Sequence, residues 1–309
     1  MKIMLVKGRE TDDTCLEMIR QLGHGNIHSY QYDSNGFDKD FDGDQKYFDC
    51  IYSPDPKILL KVKPKIPYFY DIPSGRFNHE LNYKVFDKYY SQLGGAKAVF
   101  VNDKKMNKYA HWSELNPYWV DSGIDLDKDY YQPKKFITPK LKIGYIFNYP
   151  ENNQIVKDVF SAKKSNWEFH LYNSEGISQD GSVMYYDGNL ELSKKSIYEN
   201  CHVILNPTAP YRHSLLPVPS TVALEAMYSG CITISGNIHD NADHLLVDKY
   251  HYFKLDFIDA NTIIETIRYA DKRREKLERM SKAARSLITK YYDSKESAKK
   301  KLEIIQKHL

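Results

Sequence analysis

The stretch VILNPTAPYRHSLLPVPSTVALEAMYSGCITISGN, residues 203 to 237, decides the fold expected for this chain. It begins with Val203 to Leu205, a short apolar run that ends in Asn-Pro, as a buried parallel strand running into a loop does. After a proline-rich loop, Ser220 or Thr221 can cap a helix that Gly230 ends, and a β-branched run follows. The stretch therefore predicts a strand, a loop, a helix and another strand, the repeating unit of a parallel α/β sheet.

The start of this helix has the physical features of an anion site. Its first amides have no partner within the helix and carry partial positive charge, so a diphosphate is the expected ligand of Ser220, Thr221 and Val222. Glu225 lies one turn further, and helical side chains lean toward the amino end, so its carboxylate should face the same ligand. A carboxylate there suits two vicinal sugar hydroxyls. The alternative is that Glu225 only complements the helix dipole and Ser220 only caps the helix.

Several landmarks along the chain resemble the retaining, family-four-like glycosyltransferases (glycosyl transferases group 1), which have the GT-B fold. Residues 225 to 231, EAMYSGC, are similar to the family signature LEAMAxGxPVV. Other landmarks follow the family's order: the last strand of its amino-terminal domain at 98–102, its xPNGVD turn at 120–125, its VxFxG strand at 183–188 and its YxxAD helix end at 198–202. The resemblance thus runs over nearly the whole chain.

The resemblance implies an α/β fold with two Rossmann-like parallel-sheet domains that face each other across a cleft. Residues 1–138 would form the acceptor domain and 139–290 the nucleotide-sugar donor domain, while 291–309 would form a helix that packs back on the amino-terminal domain. The implied activity is transfer of a hexose or related sugar from a nucleoside diphosphate sugar to an acceptor hydroxyl, with retention of anomeric configuration. Glu225 would then bind the ribose of the donor, and the alternative is that it binds the transferred sugar.

The chain departs from the family pattern within the expected donor site. The family has paired glutamates eight positions apart, but Pro217 stands eight positions before Glu225. The glycine-rich GFG between them is replaced by VPST at 218–221, so hydroxyl groups and helix amides would bind the diphosphate instead of glycine backbone. The usual Arg and Lys after the first strand of the donor domain are also absent, since FNYPENN stands at 147–153. These losses affect the expected mechanism more than donor binding.

Further donor-site candidates follow strands, because ligands of such folds bind beyond the carboxyl ends of parallel strands. Arg212 and His213 precede the helix, where a cation would stabilise the departing diphosphate, and Arg212 is the candidate for this catalytic role. The alternative is that both side chains face solvent. Tyr186 and Asn148 are the remaining expected donor contacts.

On the acceptor side, Asp71 at the end of a strand is the candidate general base for an acceptor hydroxyl. The alternative is that it caps the Pro-Ser-Gly turn that follows. Arg76 would bind an anionic acceptor or point into solvent, and Gly8 and Arg9 after the first strand are further candidate acceptor contacts.

Composition fits two domains without a membrane anchor or a bound metal. A length of 309 residues suits two cores, and a net charge of +3 does not demand a nucleic-acid partner. The four cysteines form no CxxC pair and lie in or beside apolar segments, which predicts buried reduced thiols. No apolar run is long enough to span a bilayer and no signal peptide opens the chain, so we expect a cytoplasmic protein without transmembrane contact. The histidines and aspartates between 239 and 251 lack a zinc spacing, so no metal and no cofactor are expected.

The acceptor stays open between a soluble glycan, a small molecule and a modified base in DNA. Lysine doublets stand at 104–105, 134–135, 163–164 and 194–195, and a solvated surface is their default interpretation. They would form a track for DNA phosphates only if the fold brought them together. Two other functions compete: a non-catalytic module that binds a sugar nucleotide or glycan, which the missing first glutamate favours, and a nucleotide-sugar epimerase of the same fold.

Overall fold

The structure is a computed structural model, and two compact units make up the part of the chain that it describes. The described residues are 1–7, 13–23, 25–33, 36–37, 39–62, 64–72, 92–101, 117–120, 123–128, 131–146, 153–162, 164–172, 183–186, 189–207, 220–236 and 245–309. Within them, unit 1 consists of residues up to Asp125 together with Tyr292–Leu309, and unit 2 runs from Leu126 to Tyr291.

Strands and helices alternate along the chain. The strands are β1 Ile3–Lys7, β2 Ile27–Asp33, β3 Gly36–Phe37, β4 Cys50–Ser53, β5 Tyr68–Ile72, β6 Ala98–Val101, β7 Pro117–Trp119, β8 Leu141–Ile146, β9 Trp167–Tyr172, β10 Val183–Tyr186, β11 Val203–Asn206, β12 Ile232–Ser235 and β13 Phe253–Lys254. The helices are α1 Asp13–Leu22, α2 Phe41–Asp44, α3 Pro56–Leu59, α4 Asn153–Ser161, α5 Leu190–Asn200, α6 Thr221–Tyr228, α7 Ala260–Asp271, α8 Arg274–Tyr291 and α9 Ser294–His308.

Unit 1 contains a seven-stranded sheet in the order β3-β2-β1-β4-β5-β6-β7. All neighbouring strands pair in parallel except β2 and β3, which form an antiparallel edge. The strands β1, β4 and β6 are buried along almost their whole length, which is the reason that they read as continuous apolar runs. The terminal helix α9 packs on this sheet through Ala298, Leu302 and Ile305, which join the core around β1 and α1.

Unit 2 contains a six-stranded, fully parallel sheet in the order β10-β9-β8-β11-β12-β13. Its core takes Trp167 and Phe169 from β9 and the apolar face of α7. In both sheets the strand order reverses next to the first strand of the unit, at β1 and β4 in unit 1 and at β8 and β11 in unit 2. Such a switch point leaves a crevice beyond the carboxyl ends of the two strands.

The segment between the predicted domains belongs to unit 2. Phe136 is buried in the core of that unit, and the hydroxyl group of Tyr228 donates to the carbonyl oxygen of Leu126 at 2.6 Å. The structure therefore divides the chain between Asp125 and Leu126, earlier than the predicted boundary at 138.

All four cysteines are free and buried, as predicted: Cys15, Cys50, Cys201 and Cys231. Burial raises the pKa of Cys50 to about 12 and that of Cys231 to about 11, so both thiols stay protonated in the fold.

Candidate functional site

The candidate donor site begins at the amino end of α6. Ser220 is the N-cap, and its side-chain oxygen accepts a hydrogen bond from the amide of Ala223 at 3.1 Å. Its carbonyl oxygen accepts from the amide of Leu224 at 3.0 Å, which starts the helical ladder. The amides of Thr221 and Val222 come before that ladder, so they are the two that a ligand would use. The side-chain oxygen of Ser220 thus has the capping role, and its hydroxyl proton is left to donate to a ligand.

Gly230 ends α6 as the sequence predicts. Its φ is +82°, a left-handed conformation that costs glycine little, and an added Cβ would lie 3.1 Å from the carbonyl oxygen of Gln132. The helix is therefore short. Glu225 lies in its middle, with its side chain directed into the interior of unit 2.

The carboxylate of Glu225 is buried and surrounded by donors. The residue is 2% exposed. Its Oε2 accepts from the hydroxyl group of Tyr198 at 3.1 Å and lies 2.7 Å from Nζ of Lys194. Its Oε1 lies 3.5 Å from Nζ of Lys128 and receives no hydrogen bond from the described residues. One oxygen of a buried carboxylate is therefore fully engaged, while the other keeps capacity for a further donor.

Two lysines and a second carboxylate complete this cluster. Lys194 pairs with Glu191 at 3.0 Å as well as with Glu225, and Lys128 lies 3.6 Å from Glu191. Two ammonium groups thus face two carboxylates, which balances the charge that would otherwise be costly to bury. Lys128 and Lys194 were not predicted as site residues. Lys194 belongs to a doublet expected on the solvated surface, and that expectation is wrong for this residue, which is 7% exposed.

A signal for this cluster exists in the sequence of α5. Glu191, Lys194 and Tyr198 are spaced three and four residues apart, so they share one face of the helix. That face packs against α6, which is why Tyr198 also donates to the carbonyl oxygen of Val222 at 3.4 Å. The doublets at 104–105 and 163–164 fall wholly or partly outside the described residues.

Tyr186, which was predicted to contact the sugar-nucleotide donor, is the last residue of strand β10. It takes part in a chain of hydrogen bonds. Its hydroxyl group lies 2.9 Å from Nδ1 of His170, whose Nε2 lies 2.9 Å from Oε1 of Glu168. Burial, with the charges of Cys201 and Glu168 contributing less, raises the pKa of Tyr186 to about 12. Burial also lowers the pKa of His170. Tyr186 therefore stays a neutral phenol, suited to hydrogen bonding and to packing against a ring.

The other predicted donor residues are Asn148, which follows β8 in the sequence, and Arg212 and His213, which follow β11. They lie outside the described residues.

In unit 1, Asp71 lies near the carboxyl end of β5 and forms an ion pair with the terminal helix. Its Oδ2 is 2.6 Å from Nζ of Lys301 and accepts from the hydroxyl group of Tyr52 at 2.8 Å. Lys301 is 3% exposed and Tyr52 is fully buried. Asp71 thus joins β5 to α9, and its role as a base stays a prediction. The candidate acceptor contacts Gly8, Arg9 and Arg76 lie outside the described residues.

Neither a metal cluster nor a bilayer-spanning helix is found in the described part of the chain. No three side chains of His, Cys, Asp or Glu there are grouped to hold a metal ion. The histidines and aspartates at 239–244 are not described, whereas His251 accepts at Nδ1 from the amide of Val247 at 2.9 Å. Among the described helices, none has the length and apolarity needed to cross a bilayer.

The chain is similar in fold to several solved structures. The structure of HepE from Anabaena in complex with UDP superimposes with a TM-score of 0.72 at 12% sequence identity, covering 99% of this chain and 100% of that chain. HepE in complex with UDP-glucose gives 0.71 at 13% identity over 99% of this chain and 100% of that chain. A glycosyltransferase from Rickettsia africae gives 0.68 at 12% identity over 99% of this chain and 98% of that chain.

Sucrose-phosphate synthase from Thermosynechococcus elongatus gives a TM-score of 0.67 at 11% identity, with 99% of each chain covered. Neither the comparison with protein-family models nor that with curated proteins gives a match. The likeness in structure confirms the predicted fold class: two parallel-sheet α/β domains, as in the GT-B glycosyltransferases. At such low identities the likeness extends to the fold alone.

Proposed function

We propose that this protein is a glycosyltransferase that moves a sugar from a nucleoside diphosphate sugar to an acceptor hydroxyl. By the resemblance in sequence, the sugar is a hexose or a related sugar, the anomeric configuration is retained and no metal ion is needed. The fold is that of proteins solved with UDP and with UDP-glucose, which supports a nucleoside diphosphate sugar as the donor.

The observation that carries this proposal is the carboxylate of Glu225. It lies in the middle of the helix that follows the switch-point strand β11, it is 2% exposed, and its Oε1 has no hydrogen bond from the described residues. An ion pair kept only for stability would be expected to satisfy both oxygens. In the proposal, Oε1 accepts a hydrogen bond from a ribose hydroxyl, while Lys194 and Tyr198 hold Oε2 and fix the orientation of the group.

The diphosphate of the donor would bind at the start of α6. The hydroxyl groups of Ser220 and Thr221 and the amides of Thr221 and Val222 would donate to its oxygens, and the helix dipole would favour its charge. Arg212, with His213 beside it, would stabilise the negative charge that grows on the diphosphate as the glycosidic bond breaks. Asn148 and Tyr186 would complete the donor site.

The acceptor would bind to unit 1. Asp71 would take the proton from the attacking hydroxyl group, and Gly8, Arg9 and Arg76 would contact the acceptor. A soluble glycan, a small molecule and a modified base in DNA are the proposed acceptors.

The substitution Glu225→Gln tests the donor site. Gln keeps the size of the side chain but removes the negative charge to which the ribose hydroxyl donates. We expect UDP to bind about 10 to 100 times more weakly, the loss of one hydrogen bond to a charged group. Isothermal titration calorimetry with UDP measures this, and thermal unfolding of each variant shows whether the fold is kept.

Glu191→Gln is the matched control, because Glu191 contacts the same two lysines but its side chain is 52% exposed. It should change the Kd for UDP less than about twofold. Unchanged UDP affinity in folded Glu225→Gln, or equal losses in the two variants, would contradict a ribose contact at Glu225.

A non-catalytic module is the second candidate, favoured by Pro217 at the place of the family's first glutamate. Incubation with UDP, GDP and ADP sugars separates the possibilities. Slow release of nucleotide and free sugar supports a transferase, an isomeric sugar nucleotide supports an epimerase, and binding without turnover supports the module.

A further inference from the structure

A cavity of about 410 Å³ lies within unit 2, between the segment from Tyr131 to Lys134 and one face of helix α8. It does not include Glu225 or the start of α6. From α8 it is lined by Glu278, Ser281, Lys282, Arg285, Ser286, Thr289 and Lys290. These positions recur every three or four residues, so the cavity follows a single face of the helix.

The charge of this lining is strongly positive. Four cations, Lys134, Lys282, Arg285 and Lys290, face a single carboxylate, that of Glu278. Glu278 is already paired with Lys282 at 2.8 Å, and Lys134 is held by the carbonyl oxygens at the end of α5. The hydroxyl groups of Ser286 and Thr289 add donors that an anion can use.

Arg285 is the central cation of the cavity. Its guanidinium lies over the ring of Tyr131 and 5.0 Å from the centre of the Tyr228 ring. It forms no ion pair with any described residue. Burial lowers its pKa from the ordinary value. The two rings lie against the guanidinium and restrict its movement before any ligand arrives.

The cavity is remote from the candidate donor site. Ser281 donates to the carbonyl oxygen of Gly230 at 2.7 Å, so the cavity borders the carboxyl end of α6, whereas the donor site is at its amino end. The eight residues of α6 separate the two by roughly 12 Å. The cavity therefore lies at the opposite edge of the sheet from the carboxyl ends of the strands.

We propose that this cavity is a second anion site, which binds a phosphate group through Arg285 and Lys282. A planar, pre-oriented guanidinium beside an ammonium group is the arrangement that recognises phosphate oxygens. The phosphate is carried either by a free molecule or by a lipid headgroup. This proposal does not depend on the proposed transfer reaction.

Inorganic pyrophosphate is the probe for a free phosphate-bearing molecule. It is titrated calorimetrically into the protein with and without saturating UDP, so that binding at α6 does not mask the cavity. Vesicles of phosphatidylcholine, with and without phosphatidylglycerol, are the probe for the lipid source, read by cosedimentation. We expect Arg285→Gln to weaken binding of the responding probe about tenfold and Lys282→Gln about threefold.

Arg279→Gln is the control, because it removes the same charge from α8 outside the cavity lining. It should change affinity less than about twofold. Lys282 has a 74% exposed side chain, so its substitution leaves the fold intact even if Arg285→Gln does not. The proposal is overturned if neither probe binds the wild type, or if Arg279→Gln weakens binding as much as the two cavity variants. Failure of UDP to bind would count against the donor site only.

Discussion

The place of Glu225 one turn into a helix follows from the sequence, and the spacing within α5 puts Lys194 and Tyr198 on one face, but the contact between the two helices does not follow from it. A glutamate one turn into a capped helix has a direction set by helix geometry alone. Lys194 and Lys128 reach it because α5 packs against α6 and because the segment after Asp125 folds onto unit 2, both of which are tertiary contacts. A lysine next to another lysine is normally assigned to the surface, and the structure shows that Lys194 is the one of this pair that turns inward.

His202 is a residue whose ionisation should govern stability in acid. It is 6% exposed, and its Nδ1 accepts from the amide of Lys142 at 2.9 Å, which requires an unprotonated nitrogen. Burial, then the charges of Arg274 and Lys134, lowers the pKa of His202 to about 4.

His202 is therefore protonated near pH 6.5 in the unfolded chain but only near pH 4 in the folded chain. The free energy of unfolding should fall by roughly 2 to 3 kcal/mol from this group as the pH drops through that window. His202→Asn keeps an acceptor but does not titrate. Urea unfolding of both proteins at several pH values should give a stability difference that favours the variant increasingly toward pH 4. A difference independent of pH would refute the assignment.

At the scale of elements, apolar strands were predicted well and polar ones were missed. The strand expected at Val203 to Leu205, the helix expected between Ser220 and Gly230 and the strand expected after it are β11, α6 and β12. Strand β2, IHSYQYD, was not predicted because polar residues alternate along it, and β3 has only two residues. A strand that is buried on both faces is a continuous apolar run in the sequence, which makes it easy to predict. A strand at the edge of a sheet lacks such a run.

The long helical segment after residue 260 divides into α7 and α8 without a glycine or proline between them. The carboxylate of Asp271 accepts from Nε1 of Trp167 at 3.0 Å and from Asn166 at 2.8 Å, and it pairs with Arg274. These contacts end α7 at Asp271 through tertiary packing. The helix propensities of the residues in this segment do not indicate the break between α7 and α8.

The junction between the first half of unit 1 and helix α9 depends on Gly123. The amide of Ile124 donates to the carbonyl oxygen of Tyr292 at 2.9 Å, and the amide of Ser294 donates to the carbonyl oxygen of Ile124 at 3.0 Å. A Cβ on Gly123 would lie 2.4 Å from the backbone nitrogen of Ser294 and 2.6 Å from the carbonyl carbon of Asp293. Backbone atoms cannot move aside as a flexible side chain can, so Gly123→Ala should lower the free energy of unfolding by about 1 to 3 kcal/mol.

Gly25→Ala is the control, since a Cβ at Gly25 would meet no heavy atom within 4 Å. Its effect should stay within about 0.5 kcal/mol. Urea unfolding followed by circular dichroism compares the two variants with the wild type. Equal stabilities for all three proteins would mean that the contact at Gly123 is not tight in solution.

At the scale of the whole molecule, two switch points follow from the strand orders of two separate sheets. The sequence could predict that the chain starts a strand-first unit twice, because Ile3–Lys7 and Leu141–Ile146 each open with a buried run. The division at Asp125 could not be predicted from composition, since the polar and proline-bearing segment after it looks like a linker while Phe136 is buried in unit 2. The departures from the family pattern at Pro217 and 147–153 belong to the donor site expected from the sequence, and all of these residues except Asn153 lie outside the described part of the chain.

A crystal structure of the protein bound to UDP would show directly whether the start of α6 is the donor site. The diphosphate should lie against the amides of Thr221 and Val222, with a ribose hydroxyl within hydrogen-bond distance of Oε1 of Glu225. UDP bound elsewhere, or a start of α6 closed by protein atoms with Glu225 contacting only Lys128, Lys194 and Tyr198, would contradict this assignment.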